Sequence, residues 1–434
     1  MSTFDLNRRR MLLGGASGLL LRGLATGLPP GFLLAPRRAR AQDLAPPGML
    51  ILSTSQAGDP VNCNAPGSYV DRAENNPNPS MAPVEVQLGG NSAIGAQPWQ
   101  TLPEALRQRL AFFHVKTRSV AHPEQPDTLA LRGSMKNAQG NGSEMLPSAL
   151  AEMAFPRLGT LQSQPVPLGN NSITVSGAPL QSVKPSELKS LFADRDGALA
   201  DLRNTRDQAL DRLYGDLRAN GSRAQRTFLD RYALSREQAR AIGEQLSALL
   251  DRLPIDPDDV DGPADQVIAA VAMAQLQVAP VMVIRLPFGG DNHNDSDLVE
   301  EADQTVASVG EIGRLWTELN AAGLQDQVSF ALLNVFGRGL FRNNAGGRNH
   351  NPDHAVMAAF GPRFRGGVYG GLVADTGCLN IDPVTGAGVP RGSGIVAEET
   401  MEAAAKTLAV ALGHDRETVD VRIQGGQVIE GALT

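Results

Sequence analysis

Short, continuous apolar segments alternate with segments of helical spacing along most of this chain. The apolar segments predict strands, and they cover residues 49–53, 109–115, 281–286, 328–335, 356–360 and 367–373, with a later pair at 421–423 and 427–429. The helical segments cover residues 103–108, 264–278, 297–322 and 398–412. Continuous apolar runs are typical of strands buried on both faces, and their alternation with helices indicates a mostly parallel sheet flanked by helices. The sequence therefore predicts an α/β fold in one domain, with two domains as the alternative.

Residues 185–253 differ from the rest because they are rich in Ala, Leu, Arg, Asp and Glu. Their leucines recur at helical spacing, for example at Leu199, Leu202, Leu210 and Leu213. We expect a helical insertion into the main domain. Two roles stay open for it: a cap or partner-docking hairpin, or a solvated insertion that packs on the domain.

The first 41 residues have the composition of an export signal. Asn7-Arg8-Arg9-Arg10-Met11 has the form of a twin-arginine signal, an apolar stretch follows, and Ala39-Arg40-Ala41 has the form of a cleavage site. An uncleaved membrane anchor is the alternative, but Pro29, Pro30 and Gly31 interrupt the apolar run. We expect a periplasmic or secreted protein, moved by the twin-arginine pathway, without a stable membrane span after cleavage.

The net charge argues against nucleic-acid binding, and the two cysteines leave one disulfide possible. Removal of residues 1–41 takes away seven arginines and one aspartate, so the formal charge changes from −7 to −13. So acidic a protein is a poor partner for nucleic acid, and we expect none. Cys63 and Cys378 are the two cysteines, and the sequence leaves open whether they pair in an oxidising compartment.

Polar side chains accumulate directly after the predicted strands. Five of the six histidines lie in these segments, namely His114, His122, His293, His350 and His354. The carboxyl ends of parallel strands share one edge of a sheet, and that edge is where α/β proteins bind ligands. Imidazole together with the Asp291 carboxylate suits a divalent metal such as zinc, manganese or iron. For any single histidine, an ordinary hydrogen-bonding role is the alternative.

At these motifs the chain resembles the domain of unknown function 1501 (DUF1501) family of exported bacterial proteins, related to the alkaline phosphatase and sulfatase superfamily. The resemblance rests on the leader, Gly58-Asp59, Gly289-Gly290-Asp291-Asn292-His293, Val335-Phe336-Gly337-Arg338 and Gly347-Arg348-Asn349-His350. It implies an alkaline-phosphatase-like sheet whose carboxyl edge holds one or two metals. By position it implies Asp59, Asp291, His293 and His350 as metal ligands. His114, His122 and His354 are weaker candidates because they also lie at or after the strand ends.

Two departures from that family's pattern concern the second metal. Val335 stands where the family has glutamate, and Asn349 where it has aspartate. Neutral side chains compensate less of a metal's charge, so we expect weaker binding there. Cys63 and Arg338 are weak catalytic candidates. A buried or disulfide-bonded thiol is the alternative for Cys63, and a structural ion pair is the alternative for Arg338.

Two functions follow from these patterns. The first is an exported metal-dependent hydrolase that acts on small phosphate or sulfate esters. The second is a non-catalytic binding or assembly protein on a degenerate hydrolase fold, with an unidentified protein as its partner. The chain has no Walker loop, no G-x-S-x-G elbow and no H-E-x-x-H helix, and we expect no organic cofactor.

Overall fold

A computed structural model of the chain describes residues 47–58, 60–70, 73–187, 198–222, 226, 261–288, 290–373 and 377–434. These residues contain strands β1 (Met49–Ser53), β2 (Pro83–Gln87), β3 (Ser92–Ala96), β4 (Leu110–Val115), β5 (Val166–Pro167), β6 (Thr174–Val175), β7 (Ala178–Pro179), β8 (Val281–Ile284), β9 (Val328–Leu332), β10 (Gly337–Arg342), β11 (Arg348–Asn351), β12 (Ala355–Phe360), β13 (Gly367–Tyr369), β14 (Asn380–Ile381) and β15 (Gly388–Val389). The predicted strands at 49–53, 109–115, 281–286, 328–335, 356–360 and 367–373 are confirmed, with some ends shifted.

The helices of the described residues are α1 (Val61–Asn64), α2 (Gln97–Thr101), α3 (Glu104–Arg107), α4 (Gln125–Leu129), α5 (Leu146–Leu158), α6 (Ala198–Asn220), α7 (Pro263–Gln275), α8 (Val299–Ala321), α9 (Thr400–Ala411) and α10 (Arg416–Arg422). Short 3-10 turns at His122–Glu124 and Asn292–Asn294 carry candidate site residues. Among the described residues, no helix has both the length and the apolar character needed to cross a membrane.

The central sheet has seven strands in the order β13-β4-β12-β9-β1-β8-β5. β1 pairs in parallel with β8 and with β9, and β5 and β13 also pair in parallel with their neighbours. β12 runs antiparallel to both β4 and β9. The predicted fold class, a mostly parallel sheet flanked by helices, is confirmed.

One face of the sheet packs against α5 and α9. Leu50 and Leu52 of β1 and Phe113 of β4 share a buried cluster with Leu150 of α5 and Leu408 of α9. Because side chains alternate along a strand, the residues between them face the other layer. Burial on both faces explains why these strands are continuous apolar runs in the sequence.

Aromatic side chains dominate the opposite face. Trp99 of α2 meets Phe112 edge-to-face with ring centroids 4.9 Å apart, and it stacks on Phe288 at 5.8 Å. Trp316 of α8 meets Phe360 of β12 at 5.9 Å. The long helix α8 follows the loop after β8, so it begins near the carboxyl edge of the sheet. It then runs across this aromatic layer, to which it contributes Trp316.

The predicted strand pair at 421–423 and 427–429 is wrong. Residues 416–422 form α10, whose N-terminus is capped by the Asp415 side chain accepting a hydrogen bond from the Thr418 amide. Val419 and Ile423 are buried four residues apart, and this spacing places both on one face of a helix. A short segment with few apolar residues gave too little pattern to distinguish the two periods.

The chain divides into two compact units, with residues 44–182 and 262–434 in one and residues 183–261 assigned to the other. In the second unit, helical spacing is confirmed over α6, and Ser186 donates a hydrogen bond to the Asp261 carboxylate. The remainder of the predicted insertion, residues 188–197, 223–225 and 227–253, lies outside the described residues. The predicted signal at residues 1–41 also lies outside them.

Candidate metal centre

Backbone hydrogen bonds continue past the strands and bring four loops to one edge of the sheet. The Thr54 amide donates to the Ile284 carbonyl, and the Val335 amide donates to the Ser55 carbonyl. These bonds hold the segments after β1, β8 and β9 side by side. The β10–β11 hairpin then pairs Arg338 with His350, which returns the chain to the same edge.

Four side chains meet there, and we name His122, Asp291, His293 and His350 the edge group. One ligand atom each from His122, Asp291 and His350 lies within 4.8 Å of the others. The His122 Nε2 and Asp291 Oδ2 atoms are 4.0 Å apart. The rings of His122 and His293 lie 4.9 Å and 4.7 Å from the ring of His350. Loops more than 150 residues apart in sequence thus converge, and three of the residues proposed from the sequence as ligands, Asp291, His293 and His350, lie together here.

The tautomers of two histidines leave a lone pair free on each ring. The His122 Nδ1–H donates to the Gln56 carbonyl at 2.7 Å, and the His350 Nδ1–H donates to the Val120 carbonyl. The Nε2 atom of each is therefore unprotonated when the ring is neutral. The Nε2 of His350 is buried and has no hydrogen-bond partner among the described residues. A histidine that ligates a metal usually donates its other N–H to a carbonyl or carboxylate, and both rings follow this pattern.

Charge states in the edge group also suit ligation. The hydrogen bond from the His293 Nδ1–H lowers the pKa of Asp291, and the positive charge of Arg338 adds to the effect. Burial lowers the pKa of His350, so its ring is neutral at neutral pH. Metal ligands must be an anionic carboxylate and a neutral imidazole, and these two residues are in those forms. His293 lies outside the three-residue group, and its Nδ1–H donates to Asp291 Oδ1.

Arg338 lies beneath the edge group and is fully buried. Its guanidinium donates to the backbone carbonyls of Ala57, Gly58 and Gly290 at 2.7, 2.6 and 3.2 Å. It also lies 3.5 Å from Asp291 Oδ1. Its donors are directed at the protein's own loops, which fits the structural alternative rather than binding of a ligand anion.

A second buried arginine anchors the loop from the other side. Arg348 Nε lies 2.6 Å from Glu301 Oε2, and both side chains have 0% exposure. The amides of Asn64, Asn76 and Asn292 donate to the same carboxylate at 3.2–3.3 Å. A buried ion pair needs such extra hydrogen bonds to offset its desolvation. The pair ties α8 and β11 to the turn between Asp291 and His293.

Two glycines permit the close approach of these loops. Gly58 has φ +73°, and a Cβ there would lie 1.8 Å from the Phe336 ring. At Gly347 a Cβ would lie 2.1 Å from the Asn292 carbonyl oxygen. Larger residues at either position would push apart the loops that carry the edge group.

His114 and His354, predicted as weaker ligands, lie elsewhere. Both are fully buried, and His114 Nδ1 is 2.9 Å from His354 Nε2. Asn62 Nδ2 lies 3.2 Å from His354 Nδ1, and His114 Nε2 lies 3.4 Å from the Pro66 carbonyl. A donor chain from Asn62 through His354 and His114 to Pro66 uses all four ring nitrogens. We name these two histidines the buried pair; the structure does not bring them into the edge group.

The remaining residues singled out in the sequence are Asp59 and the two cysteines. Asp59 lies outside the described residues. Cys63 is a free, buried thiol 3.5 Å from the carbonyls of Arg338 and Gly339, and burial raises its pKa to about 12. A reactive cysteine, in contrast, lies in a partly exposed, electropositive environment that lowers the pKa of its thiol. Cys378 is also free and buried.

The two positions that depart from the family pattern carry no ligand for this group. Val335 is fully buried, and the Asn349 side chain accepts a hydrogen bond from Asn343. Asp291 is therefore the one carboxylate in the three-residue metal group of the described chain. The arrangement matches a single three-ligand metal centre better than a two-metal centre.

A cavity of about 440 Å³ opens beside the edge group. Its lining shares His122 and Asp291 with the edge group; the other lining residues are Thr54, Ser55, Gln56, Ala57, Gln125, Asn170, Asn171 and Arg285. Arg285, Glu301 and Arg348 are not among the site residues that the sequence predicted. Arg285 directly follows a strand, which was a usable signal, whereas Glu301 resembles any acidic residue in the first turn of a helix.

Comparisons with known proteins leave the family unassigned. No protein-family model matches the chain, and no curated protein matches it. A solved structure described as Ps i-CgsB in complex with k-i-k-neocarrahexaose is similar at 11% sequence identity and a TM-score of 0.36; the match covers 88% of this chain and 75% of that chain. At so low a TM-score, this similarity carries no argument about function.

Proposed function

We propose that the protein binds one divalent metal ion through His122, Asp291 and His350 and hydrolyses a small phosphate or sulfate ester. The observation that carries the proposal is the convergence of two imidazoles and one carboxylate within 4.8 Å. The orphaned Nε2 of His350 supports it, because a buried lone pair without a partner is costly unless something binds it. Two nitrogens and one oxygen suit zinc, manganese or iron.

The residues have separable roles in this proposal. A bound metal would polarise the ester oxygen and lower the pKa of a coordinated water. Asp291 supplies the negative charge, and its Oδ1 holds the His293 ring in place. The Nε2 atom of His293 is then free to accept a proton, in the manner of a carboxylate–imidazole general base. The His293 hydrogen bond lowers the pKa of Asp291, and the positive charge of Arg338 adds to this effect.

The resemblance to exported hydrolases extends the proposal to location. We propose export by the twin-arginine pathway and an extracytoplasmic ester substrate. Exchange of Arg8 and Arg9 for lysine should leave the protein in the cytoplasm. Unchanged export of that variant, measured by cell fractionation, would remove this part of the proposal.

A second candidate is a non-catalytic binding protein that keeps the metal. It is favoured by the buried state of Cys63 and by the lack, among the described residues, of a second carboxylate in the metal group. In this case the metal centre would stabilise the loops or bind a ligand without turnover.

An ester panel separates the two candidates. Phosphate monoesters, phosphodiesters and sulfate esters are incubated with wild type, Asp291→Asn and Asp297→Asn. Each protein is assayed as purified, after its metal has been removed with a chelator, and after zinc, manganese or iron has been added back. Asp297 is an exposed carboxylate of the same loop and is the matched control. Hydrolysis that requires metal and Asp291, and is retained by Asp297→Asn, supports catalysis. Metal binding without turnover of any ester supports the second candidate, and absence of metal binding contradicts both.

A further inference from the structure

The cavity beside the edge group contains an arginine that forms no ion pair with a described carboxylate. Arg285 follows β8 directly, and its side chain is exposed in the cavity lining. The Arg285 amide donates to the Gln266 side chain at 2.9 Å, which fixes the backbone at the strand end. Arg285 thus differs from the buried Arg338 and Arg348, whose donors are directed at the protein.

Apart from Ala57 and the two residues shared with the edge group, the rest of the described lining is uncharged and polar. It consists of Thr54, Ser55, Gln56, Gln125, Asn170 and Asn171. Asp291 is the acidic residue among the described residues of the lining, and a metal ion would compensate its charge. With metal bound, the cavity carries net positive charge and attracts an anion.

We propose that Arg285 forms an oxyanion subsite beside the metal centre, which selects esters with three terminal oxygens, namely phosphate or sulfate monoesters. The inference rests on the proposed function. A guanidinium engages two oxygens of a tetrahedral anion through parallel N–H bonds. A third terminal oxygen then remains for the metal centre. A phosphodiester has two terminal oxygens and cannot satisfy both.

A second cavity provides a matched control. It has a similar volume of about 390 Å³ and also contains an exposed arginine, Arg391. Lys116 in that cavity is paired with Asp353 at 2.9 Å and with Glu398 at 3.3 Å. Since the two carboxylates offset the positive charges, this cavity has no comparable attraction for anions.

Calorimetric titration of the metal-loaded full-length protein tests the subsite. Methyl sulfate and dimethyl phosphate serve as probes because both are monoanions, with three and two terminal oxygens respectively. Wild type should bind methyl sulfate about tenfold or more tightly than dimethyl phosphate, and Arg285→Gln should weaken methyl sulfate binding by about tenfold to a hundredfold. Arg285→Lys should recover part of the loss, and Arg391→Gln should bind as wild type does.

The outcomes separate this inference from the proposed function, because metal content is measured on every sample. Wild-type metal content in Arg285→Gln together with unchanged methyl sulfate binding overturns the subsite and leaves the metal centre standing. Equal binding of the two probes by wild type, or no binding of either, also overturns the subsite. Wild-type protein without metal contradicts the proposed function, whatever Arg285 does.

Discussion

The buried pair and the edge group contain the same kind of side chain in opposite settings. His114 and His354 are fully buried, and their four ring nitrogens all have hydrogen-bond partners within the protein. In the edge group, His122 and His350 use only Nδ1 for the protein's own backbone. The two groups therefore differ in whether a ring nitrogen keeps a lone pair that no protein group uses. A histidine with both nitrogens occupied supports packing, and one with a free Nε2 can bind a metal.

Both groups depend on neighbours that a single sequence does not reveal. Asn62 links them, because its amide lies against the buried pair and its Oδ1 accepts from the Arg338 amide at 2.7 Å. Arg338 in turn supports the loop that carries Asp291. The edge group is half exposed, yet buried polar bonds fix the loops around it.

The largest effect is expected at the buried charge that anchors the edge group. Glu301→Gln leaves Arg348 buried without its counter-charge, which should cost about 3–5 kcal/mol of unfolding free energy. Urea denaturation measures this cost. Glu300→Gln, on the exposed neighbour of the same helix, should change stability by less than about 0.5 kcal/mol. Similar midpoints for the two variants would show that the ion pair contributes little.

Exchanging one histidine from each group tests the comparison directly. His354→Ala leaves the His114 ring and the Asn62 amide without partners, so it should lower stability by about 2–4 kcal/mol and leave metal affinity unchanged. His350→Ala should lower stability by less than about 1 kcal/mol and weaken metal binding. Denaturation and metal titration of both variants check this. Loss of metal binding by a folded His354→Ala protein would contradict the separation of the buried pair from the metal-binding edge group.

Acidification should destabilise the fold through the buried pair. Burial lowers the pKa of His114 from 6.5 to about 4, and burial also holds the pKa of His354 well below its usual value. The unfolded chain therefore binds more protons below pH 6.5, so stability is complete above that pH and falls as the pH decreases toward about 4. His114 alone should contribute a loss of about 2 kcal/mol between pH 7 and pH 5.

Denaturation at the two pH values measures this loss. His414 is also buried and has a lowered pKa, so it adds to the loss of stability at low pH. The decisive comparison is therefore between wild type and variants of the buried pair. A His114→Gln, His354→Gln double variant should lose less stability on acidification than wild type does. His350 also has a lowered pKa, so His350→Gln should lose somewhat less stability than wild type but more than the double variant. An equal loss in wild type and in the double variant would contradict the account of the pair.

The smallest effect is expected at the ring that packs against the edge group. Phe336 stacks on His350 with ring centroids 4.1 Å apart, and it meets His122 at 5.2 Å. Phe336→Leu keeps an apolar side chain but loses the stacking, so it should cost about 1 kcal/mol and weaken metal binding less than tenfold. A loss of metal affinity as large as that of His350→Ala would mean that the ring does more than orient the imidazoles.

The sequence was sufficient for the sheet and for part of the site. Strands buried on both faces leave long apolar runs, and polar residues after them indicated the sheet edge where the edge group lies. The division of the histidines was not predictable, because it depends on the register of β12 against β4. That register pairs Val356 with His114 and places His354 beside it. Such long-range pairing leaves no local pattern in one sequence.

Zinc titration of metal-free protein tests the central claim most directly. We expect one ion per wild-type chain, binding at least about tenfold weaker in His122→Gln or His350→Gln, and unchanged binding in His354→Gln. Wild-type protein that binds no zinc, manganese or iron would contradict the account. So would an ion whose affinity is the same in wild type and in a His122→Gln, His350→Gln double variant.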